Sequence, residues 1–423
     1  MKARIIPGRS EGSPVRIPSS KSLSHRVLIA ASLAEGTSIL KNLVDNNDIR
    51  ATMNCLSLLG ASFERISAQE TAVKGITDFS FYDGSLIDCG ESGSTLRFLI
   101  PLFSLCERTA VFTGHGKLME RPQTVYEDLF HQSGLLFEKK GGTLCVHGPL
   151  SAGEYTVRGD ISSQFITGLL FTLPLLGGSS ALRILPPYES RSYVGLTEDV
   201  LELAGISVGD EGMRITVPGS GRYRSFVCDV EGDDSQAAFF AVLAMISQKP
   251  VTVYGMRRQS RQGDHVIVEL IERFGGRSIP VEKGYRFEPG RCRACTVDLA
   301  DCPDLGPALF ALAAVSEGTT VFTHCGRLRI KESDRIQAMK EELETLGVAI
   351  EEEAETVRIT GVSSIRGNVC LSCHNDHRIA MALSMLASGA DAPIELDGCE
   401  AVNKSYPDFF QDYLTAGGRV ELI

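Results

Sequence analysis

Hydrophobic and polar positions follow a long-range rhythm along this chain. A strand-like alternation leads into a short polar loop, then an apolar run with no polar face, a second strand-like run and an amphipathic run, and the order recurs six times. The apolar runs fall at 27–34, 98–103, 165–176, 237–246, 308–315 and 379–386. A helix without a polar face belongs in an interior, so these six predict buried helices. The amphipathic runs, such as 334–346, stop at Gly60, Gly134, Gly205, Gly275, Gly347 and Gly417, as the preference for glycine beyond a helix C-terminus predicts.

The polar loops read Pro18-Ser-Ser-Lys-Ser22, Cys89-Gly-Glu-Ser-Gly-Ser94, Gly159-Asp-Ile-Ser-Ser-Gln164, Gly232-Asp-Asp-Ser-Gln236, Asp301-Cys-Pro-Asp304 and His374-Asn-Asp-His-Arg378. With Ser22, Ser94, Gln164, Gln236, Gly306 and Arg378 as equivalent positions, the steps are 72, 70, 72, 70 and 72 residues. Each loop precedes a helix N-terminus, where free N–H groups and the helix dipole favour anions. Six buried helices exceed one compact core, so the pattern predicts an α/β protein of two domains, each with three repeats, helices inside and sheets outside.

The sixth repeat runs out at 420–423 without a closing strand. Ala3-Arg-Ile-Ile-Pro-Gly8 resembles the repeat-closing segments Arg214-Ile-Thr-Val-Pro-Gly219, Arg286-Phe-Glu-Pro-Gly290 and Val357-Arg-Ile-Thr-Gly361. The N-terminal strand is therefore expected to complete the last repeat. That puts 15–228 in the first domain and 229–423 with 1–14 in the second, joined by crossovers near 12–15 and 226–231 that form a hinge.

Composition narrows the function classes. A net charge of -11 argues against a nucleic-acid surface, which is built on Lys and Arg contacts to phosphates, and makes local clusters of cations informative. The N-terminus enters a strand-like run at once, and no uncharged apolar stretch is long enough for a membrane span, so no membrane partner is expected. Twelve cysteines in 423 residues read as reduced thiols of a cytoplasmic protein. Cys292/Cys295 and Cys370/Cys373 have half-site zinc spacing, but in a strand such pairs point to opposite faces, and no metal is expected.

The first loop places Lys21, Ser22 and Arg26 at a helix start, where cations oppose the dipole unless an anion arrives. A serine cap with solvated charges would look the same. Arg97 follows Gly90-Glu-Ser-Gly-Ser94, Arg121 ends Thr113-Gly-His-Gly-Lys-Leu-Met-Glu-Arg121, and Ser162, Ser163 and Gln164 offer uncharged donors. Arg329-Ile-Lys-Glu-Ser-Asp-Arg335 puts the cations Lys331 and Arg335 and two acids in a helix start, with the two cations four residues apart on one face. Repetition of such loops at matching positions favours a site over solvated ion pairs.

Together, Ser20-Lys-Ser-x-x-x-Arg26, Gly90-x-x-Gly-x-x-x-Arg97, Met119-Glu-Arg-Pro122, Ser162-Ser-Gln-Phe165, Pro303-Asp304, Ile330-Lys-Glu-Ser-Asp-Arg335, Asn375-Asp-His-Arg378 and Lys404-Ser-Tyr-Pro-Asp408 resemble the 5-enolpyruvylshikimate-3-phosphate synthase family, end to end and in order. The resemblance implies a two-domain inside-out α/β barrel closing over its substrates in the cleft between domains. It implies transfer of the enolpyruvyl group of phosphoenolpyruvate to the 5-hydroxyl of shikimate 3-phosphate, without a cofactor.

Carried over motif by motif, shikimate 3-phosphate would meet Lys21, Ser22, Arg26, Ser162, Ser163, Gln164, Ser190, Asp304 and Lys331. Phosphoenolpyruvate would meet Lys21, Gly93, Arg121, Gln164, Arg335, Arg378 and Lys404. Asp304 is the expected base for the 5-hydroxyl, Glu332 the proton shuttle at the methylene carbon, and Lys21 the acid to the departing phosphate. Gly93 would leave room for a ligand near the backbone. Glu91 and Arg327 stand where the family commonly has Asn.

Two other readings compete. The related transferase acting on UDP-N-acetylglucosamine typically has a reactive cysteine before the Arg-Pro pair and Asn after the first-loop Lys. This chain has His115-Gly-Lys-Leu-Met-Glu and Ser22 there. A non-enzymatic scaffold fits poorly with carboxylates and cations gathered in the same loops. A monomer is expected, because closure about a hinge needs free domains.

Overall fold

A computed structural model describes residues 1–76 and 78–423. The chain forms two compact units, Ser20–Val230 and Met1–Ser19 with Glu231–Ile423. The described residues contain six four-stranded sheets, three in each unit. In each, an edge strand runs parallel to its neighbour, and the two remaining strands run antiparallel to theirs. In the second repeat, Ile87–Asp88 pairs parallel with Ala110–Thr113, which pairs antiparallel with Thr143–His147 and through it with Leu136–Lys140.

Between these strands run the helices that the apolar pattern predicts. In the Ser20–Val230 unit they are Lys21–Leu33, Gly93–Phe103 and Ser163–Thr172, and in the other unit Asp234–Ser247, Gly306–Ala313 and His377–Ala387. Gly306–Ala313 is buried at every position, and Asp234–Ser247 from Asp234 through Met245. Each Leu, Ile, Val, Phe or Met so buried contributes about 1.5–3 kcal/mol of transfer free energy. The outer helices end where φ turns positive, at Gly60 (98°) and Gly205 (82°), a conformation that L side chains resist.

Lys2–Ile5 lies between Ile394–Asp397 and Val420–Leu422, antiparallel to both. The other terminal connections differ from the expected boundaries. Val15–Arg16 pairs parallel with Val253 and Tyr254, so these residues belong with the C-terminal half and not with a domain beginning at 15. Val227–Asp229 pairs parallel with Ile39–Lys41 in the other unit. The strand before the first helix of each half thus completes a sheet of the unit the chain is leaving. The change of unit comes at the helix starts, between Ser19 and Ser20 and between Val230 and Glu231.

Among the described residues no helix is long and apolar enough to cross a membrane. The cysteines are free thiols. Cys370 is exposed and Cys373 is buried against Cys399, with sulfurs 3.7 Å apart, so the Cys370/Cys373 spacing does not bring those two thiols to a common face.

Candidate active site

Helix starts organise the polar residues of the Ser20–Val230 unit. Ser20 caps Lys21–Leu33 by accepting from the Leu23 amide at 3.3 Å, which leaves Lys21 in the first turn. Lys21 Nζ is 3.0 Å from Asp48 Oδ2, and both side chains are largely buried. Asp48 opens the helix Asn47–Leu58, so its charge complements that dipole as well as the lysine.

Arg26 is buried and well satisfied. Its Nε donates to Thr197 Oγ1 (2.9 Å), Nη1 to the Ser22 carbonyl (2.6 Å), and Nη2 to Thr167 Oγ1 (3.4 Å) and the Tyr193 carbonyl (2.9 Å). The guanidinium also lies over the Phe98 ring. Burial lowers its pKa to about 10. It ties the first helix to Ser163–Thr172 and Arg191–Leu203.

The second and third loops meet through Gln164, whose Oε1 accepts from Arg97 Nη1 at 2.9 Å while its Nε2 donates to Ser94 Oγ at 2.9 Å. Ser162 caps the third inner helix and Ser163 is its first residue. The Glu189 amide donates to the Gly159 carbonyl at 3.3 Å, bringing the segment with Ser190 beside this loop. Ser190 is buried with a left-handed φ of 52° at the start of Arg191–Leu203. A Cβ at Gly93 would stand 2.8 Å from Arg121 Nη1 and 3.6 Å from Gln164 Oε1. The glycine therefore makes room first for a protein guanidinium, a different constraint from the ligand approach the sequence suggests.

The Glu231–Ile423 unit gathers opposite charges more tightly. Asp304 lies in the 3-10 turn Pro303–Leu305 and accepts from Lys331 Nζ at 3.2 Å, Arg335 Nη1 at 3.0 Å and Arg378 Nη2 at 3.1 Å. Arg335, only 1% exposed, also reaches Glu332 at 2.6 Å and Asp376 at 2.9 Å. Lys404 Nζ donates to the Asn375 carbonyl at 2.6 Å.

Lys331 and Arg335 do not share a helical face. Asp334 caps the helix Arg335–Thr345 by accepting from the amides of Ile336 and Gln337, so Lys331 lies in extended backbone before it. The two cations converge because both reach Asp304, not because of a helical repeat.

The titration behaviour follows from this packing. Burial works to raise the Asp304 pKa, but Arg378, Lys331 and Arg335 outweigh it and hold the carboxyl well below the usual range. Burial lowers Lys331 to about 8 against the pull of Asp304, with Arg327 and Arg335 adding to the fall. Arg335 and Arg378 are shifted up despite burial, by Asp376, Glu332 and Asp304 in the first case and by Asp304 in the second.

Several partners lie outside the predicted set. Asp48 pairs with Lys21, Asp376 holds Arg335 while capping His377–Ala387, and Ser235 Oγ accepts from Arg378 Nη2 at 3.0 Å while bonding Asp233. The fourth loop, without a chemical role on sequence grounds, thus supports the arginine of the sixth. The N-cap rule points to Asp376 and Asp233, whereas the Lys21–Asp48 pair has no local signature. Of the two departures, the Glu91 carboxylate leans on Gly116, where an added Cβ would stand 2.6 Å from its Oε2. Arg327 is buried in the 3-10 turn Gly326–Ile330.

Residues 7–413 match the family profile EPSP synthase (3-phosphoshikimate 1-carboxyvinyltransferase). A 3-phosphoshikimate 1-carboxyvinyltransferase of Clostridium kluyveri is 40% identical over 420 residues, covering 99% of this chain and 97% of that protein. One of Clostridium novyi is 38% identical over 429 residues, with 99% and 98% covered. Among solved structures, EPSP synthase from Acinetobacter baumannii superposes with a TM-score of 0.81 at 27% identity, covering 99% of each chain. The enolpyruvyl transferase NikO from Streptomyces tendae gives 0.78 at 17% identity, covering 99% of this chain and 98% of that one, a likeness of fold. With a family match over nearly its whole length and relatives of this similarity, the chain belongs to the EPSP synthase family, the 3-phosphoshikimate 1-carboxyvinyltransferases.

Proposed function

We propose that this chain transfers the enolpyruvyl group of phosphoenolpyruvate to the 5-hydroxyl of shikimate 3-phosphate, releasing inorganic phosphate on the route to chorismate and the aromatic amino acids. Family membership supports the reaction class. The observation that carries the chemistry is Asp304, a carboxylate within 3.2 Å of three cations from two further loops. The two substrates together bring about five to six negative charges, and such charge needs cations held in advance.

In this reading Lys331, Arg335 and Arg378 are balanced by Asp304, Glu332 and Asp376 until substrate arrives. An incoming phosphate or carboxylate competes for the same donors. As it draws the cations away, the Asp304 pKa rises and the carboxylate becomes a better base. Arg121, Arg335, Arg378 and Lys404 bind phosphoenolpyruvate, with Gly93 and Gln164 shaping the Arg121 side. Ser22, Arg26, Ser162, Ser163, Gln164, Ser190 and Lys331 bind shikimate 3-phosphate, and Lys21 serves both.

The reaction is addition followed by elimination. Glu332 delivers a proton to the methylene carbon, and the neighbouring carbon becomes electrophilic. The 5-hydroxyl oxygen bonds to it while Asp304 takes the hydroxyl proton. The tetrahedral adduct then loses phosphate by C–O cleavage, Lys21 protonating the leaving group, and Glu332 recovers a methyl proton as the double bond re-forms. No electron is gained or lost, so the scheme needs acid, base and cations, with no redox cofactor.

The expected setting is cytoplasmic and monomeric. The related transfer to UDP-N-acetylglucosamine is disfavoured by Ser22 after Lys21 and by the absence of cysteine from His115-Gly-Lys-Leu-Met-Glu120. Phosphate release on mixing the chain with phosphoenolpyruvate and shikimate 3-phosphate tests the proposal, with UDP-N-acetylglucosamine as the alternative acceptor. Release with the second acceptor alone would refute it. Undiminished hydrogen exchange at the methylene in Glu332→Ala would remove Glu332 from its role.

A further inference from the structure

The turn entering His377–Ala387 holds an ion pair that this chemistry does not use. His374 and Asn375 are consecutive left-handed residues, with φ of 49° and 51°. Asn and His enter that region more readily than other side chains, but as single residues, so two in succession need their surroundings to hold them. Here the turn sets two contacts. The Asn375 carbonyl accepts from Lys404 Nζ, and Asp376, the next residue, accepts from Arg335 Nε. A turn relaxed to right-handed backbone would redirect both.

Two interactions fix the turn. The His374 amide donates to Ser372 Oγ at 3.1 Å, and His374 Nε2 lies 2.7 Å from Glu342 Oε1 and 3.8 Å from Glu341 Oε2. Glu342 is 7% exposed and belongs to Arg335–Thr345, the helix that Arg335 opens. The imidazole therefore ties the turn carrying the Lys404 and Arg335 contacts to the helix carrying Arg335.

We propose that His374 and Glu342 are positioning residues for phosphoenolpyruvate, their ion pair clamping the left-handed turn so that Lys404 and Arg335 present one anion site. The proposal rests on the assignment of those two cations to that substrate.

The groups facing His374 are Glu342 and Glu341 from the neighbouring helix and Asp376 from its own turn. Its bond to Glu342, aided by these charges and opposed by burial, raises its pKa above the ordinary value. The protonated clamp is intact below the ordinary histidine pKa and is lost as pH rises through the raised one.

Steady-state kinetics of the full chain between about pH 6 and about pH 9 test this across the histidine range. Wild-type turnover is the control for the reaction itself, and its absence would count against the functional reading, not the clamp. Glu342→Gln and His374→Asn are the informative variants: Gln keeps the shape of Glu342 and removes its charge, and Asn tolerates the left-handed backbone while removing the imidazole that reaches Glu342. Each should raise KM for phosphoenolpyruvate by about tenfold at neutral pH, a typical effect of one lost charged contact, and leave KM for shikimate 3-phosphate unchanged. The double variant should be no worse than either single one. In Glu342→Gln the alkaline fall of kcat/KM for phosphoenolpyruvate should move to lower pH. A KM within about twofold of wild type and an unmoved alkaline fall would overturn the proposal even if thermal stability drops, since the pair would then support the fold and not the anion site. If neither variant folds, the wild-type chain decides. The NMR titration midpoint of the His374 ring must coincide with the pH at which phosphoenolpyruvate affinity falls in the presence of shikimate 3-phosphate, and separate midpoints overturn the clamp.

Discussion

Arg335 Nε and Asp376 Oδ2 lie 2.9 Å apart across 41 residues of chain, with the arginine 1% exposed and the aspartate fully buried. A pair this deep matters most when half of it is removed, because the remaining charge is stranded away from water. Asp376→Asn preserves the helix-capping oxygen but removes the charge. It should lower stability by about 3–5 kcal/mol, the usual range for breaking a buried pair, seen as a clear drop in urea midpoint. An unchanged midpoint would show that Glu332 and Asp304 suffice to balance Arg335.

The Gly93 backbone has an ordinary φ, so alanine meets no backbone strain there. Its Cβ would instead stand 2.8 Å from Arg121 Nη1. Gly93→Ala should displace the guanidinium, raising KM for phosphoenolpyruvate by about fivefold or more, on the scale of one weakened charge-assisted bond, with thermal stability little altered. Equal KM values in the two proteins would mean that Arg121 does not bind this substrate.

Lys331 gives a pH prediction with two opposite slopes. Its pKa falls from 10.5 to about 8 on burial. Between those values the unfolded chain holds a proton that the native chain lacks, so this group's contribution to stability rises with pH across that window. Activity that needs the ammonium falls over the same window. The alkaline fall in kcat/KM for shikimate 3-phosphate should therefore begin near pH 8 and disappear in Lys331→Arg, which keeps its charge. A fall of the same midpoint in Lys331→Arg would assign it to another group.

Asp48 offers a test in the other unit. It holds Lys21 Nζ at 3.0 Å with little solvent around either group. Asp48→Asn should reduce kcat/KM by about tenfold, near 1.4 kcal/mol, by loosening the lysine that the scheme uses as acid. Unaltered kinetics would leave the pair a structural role only.

What was legible in the sequence follows from how local each signal is. The inner helices and the glycines that end the outer ones are written in runs and spacings within one repeat, and so is the N-terminal strand, whose Ala3-Arg-Ile-Ile-Pro-Gly8 resembles its counterparts. The placement of Val15–Arg16 is not, since a two-residue strand carries no mark of the sheet it will join. Among the site residues, cations and carboxylates in polar loops announce themselves, but which of them meet does not follow from the loops. Lys21 meets Asp48 across 27 residues and Arg378 meets Asp304 across 74, distances set by helix packing. Lys331 and Arg335 illustrate a correct association for the wrong reason: a shared carboxylate joins them where a helical repeat was expected.

Enolpyruvyl transfer to shikimate 3-phosphate is decided by the identity of its product, which NMR reads. Catalytic amounts of the chain with phosphoenolpyruvate and shikimate 3-phosphate should yield a vinyl ether on the 5-oxygen and one equivalent of inorganic phosphate. Phosphoenolpyruvate that stays intact with this acceptor, yet is consumed with UDP-N-acetylglucosamine, would contradict the account.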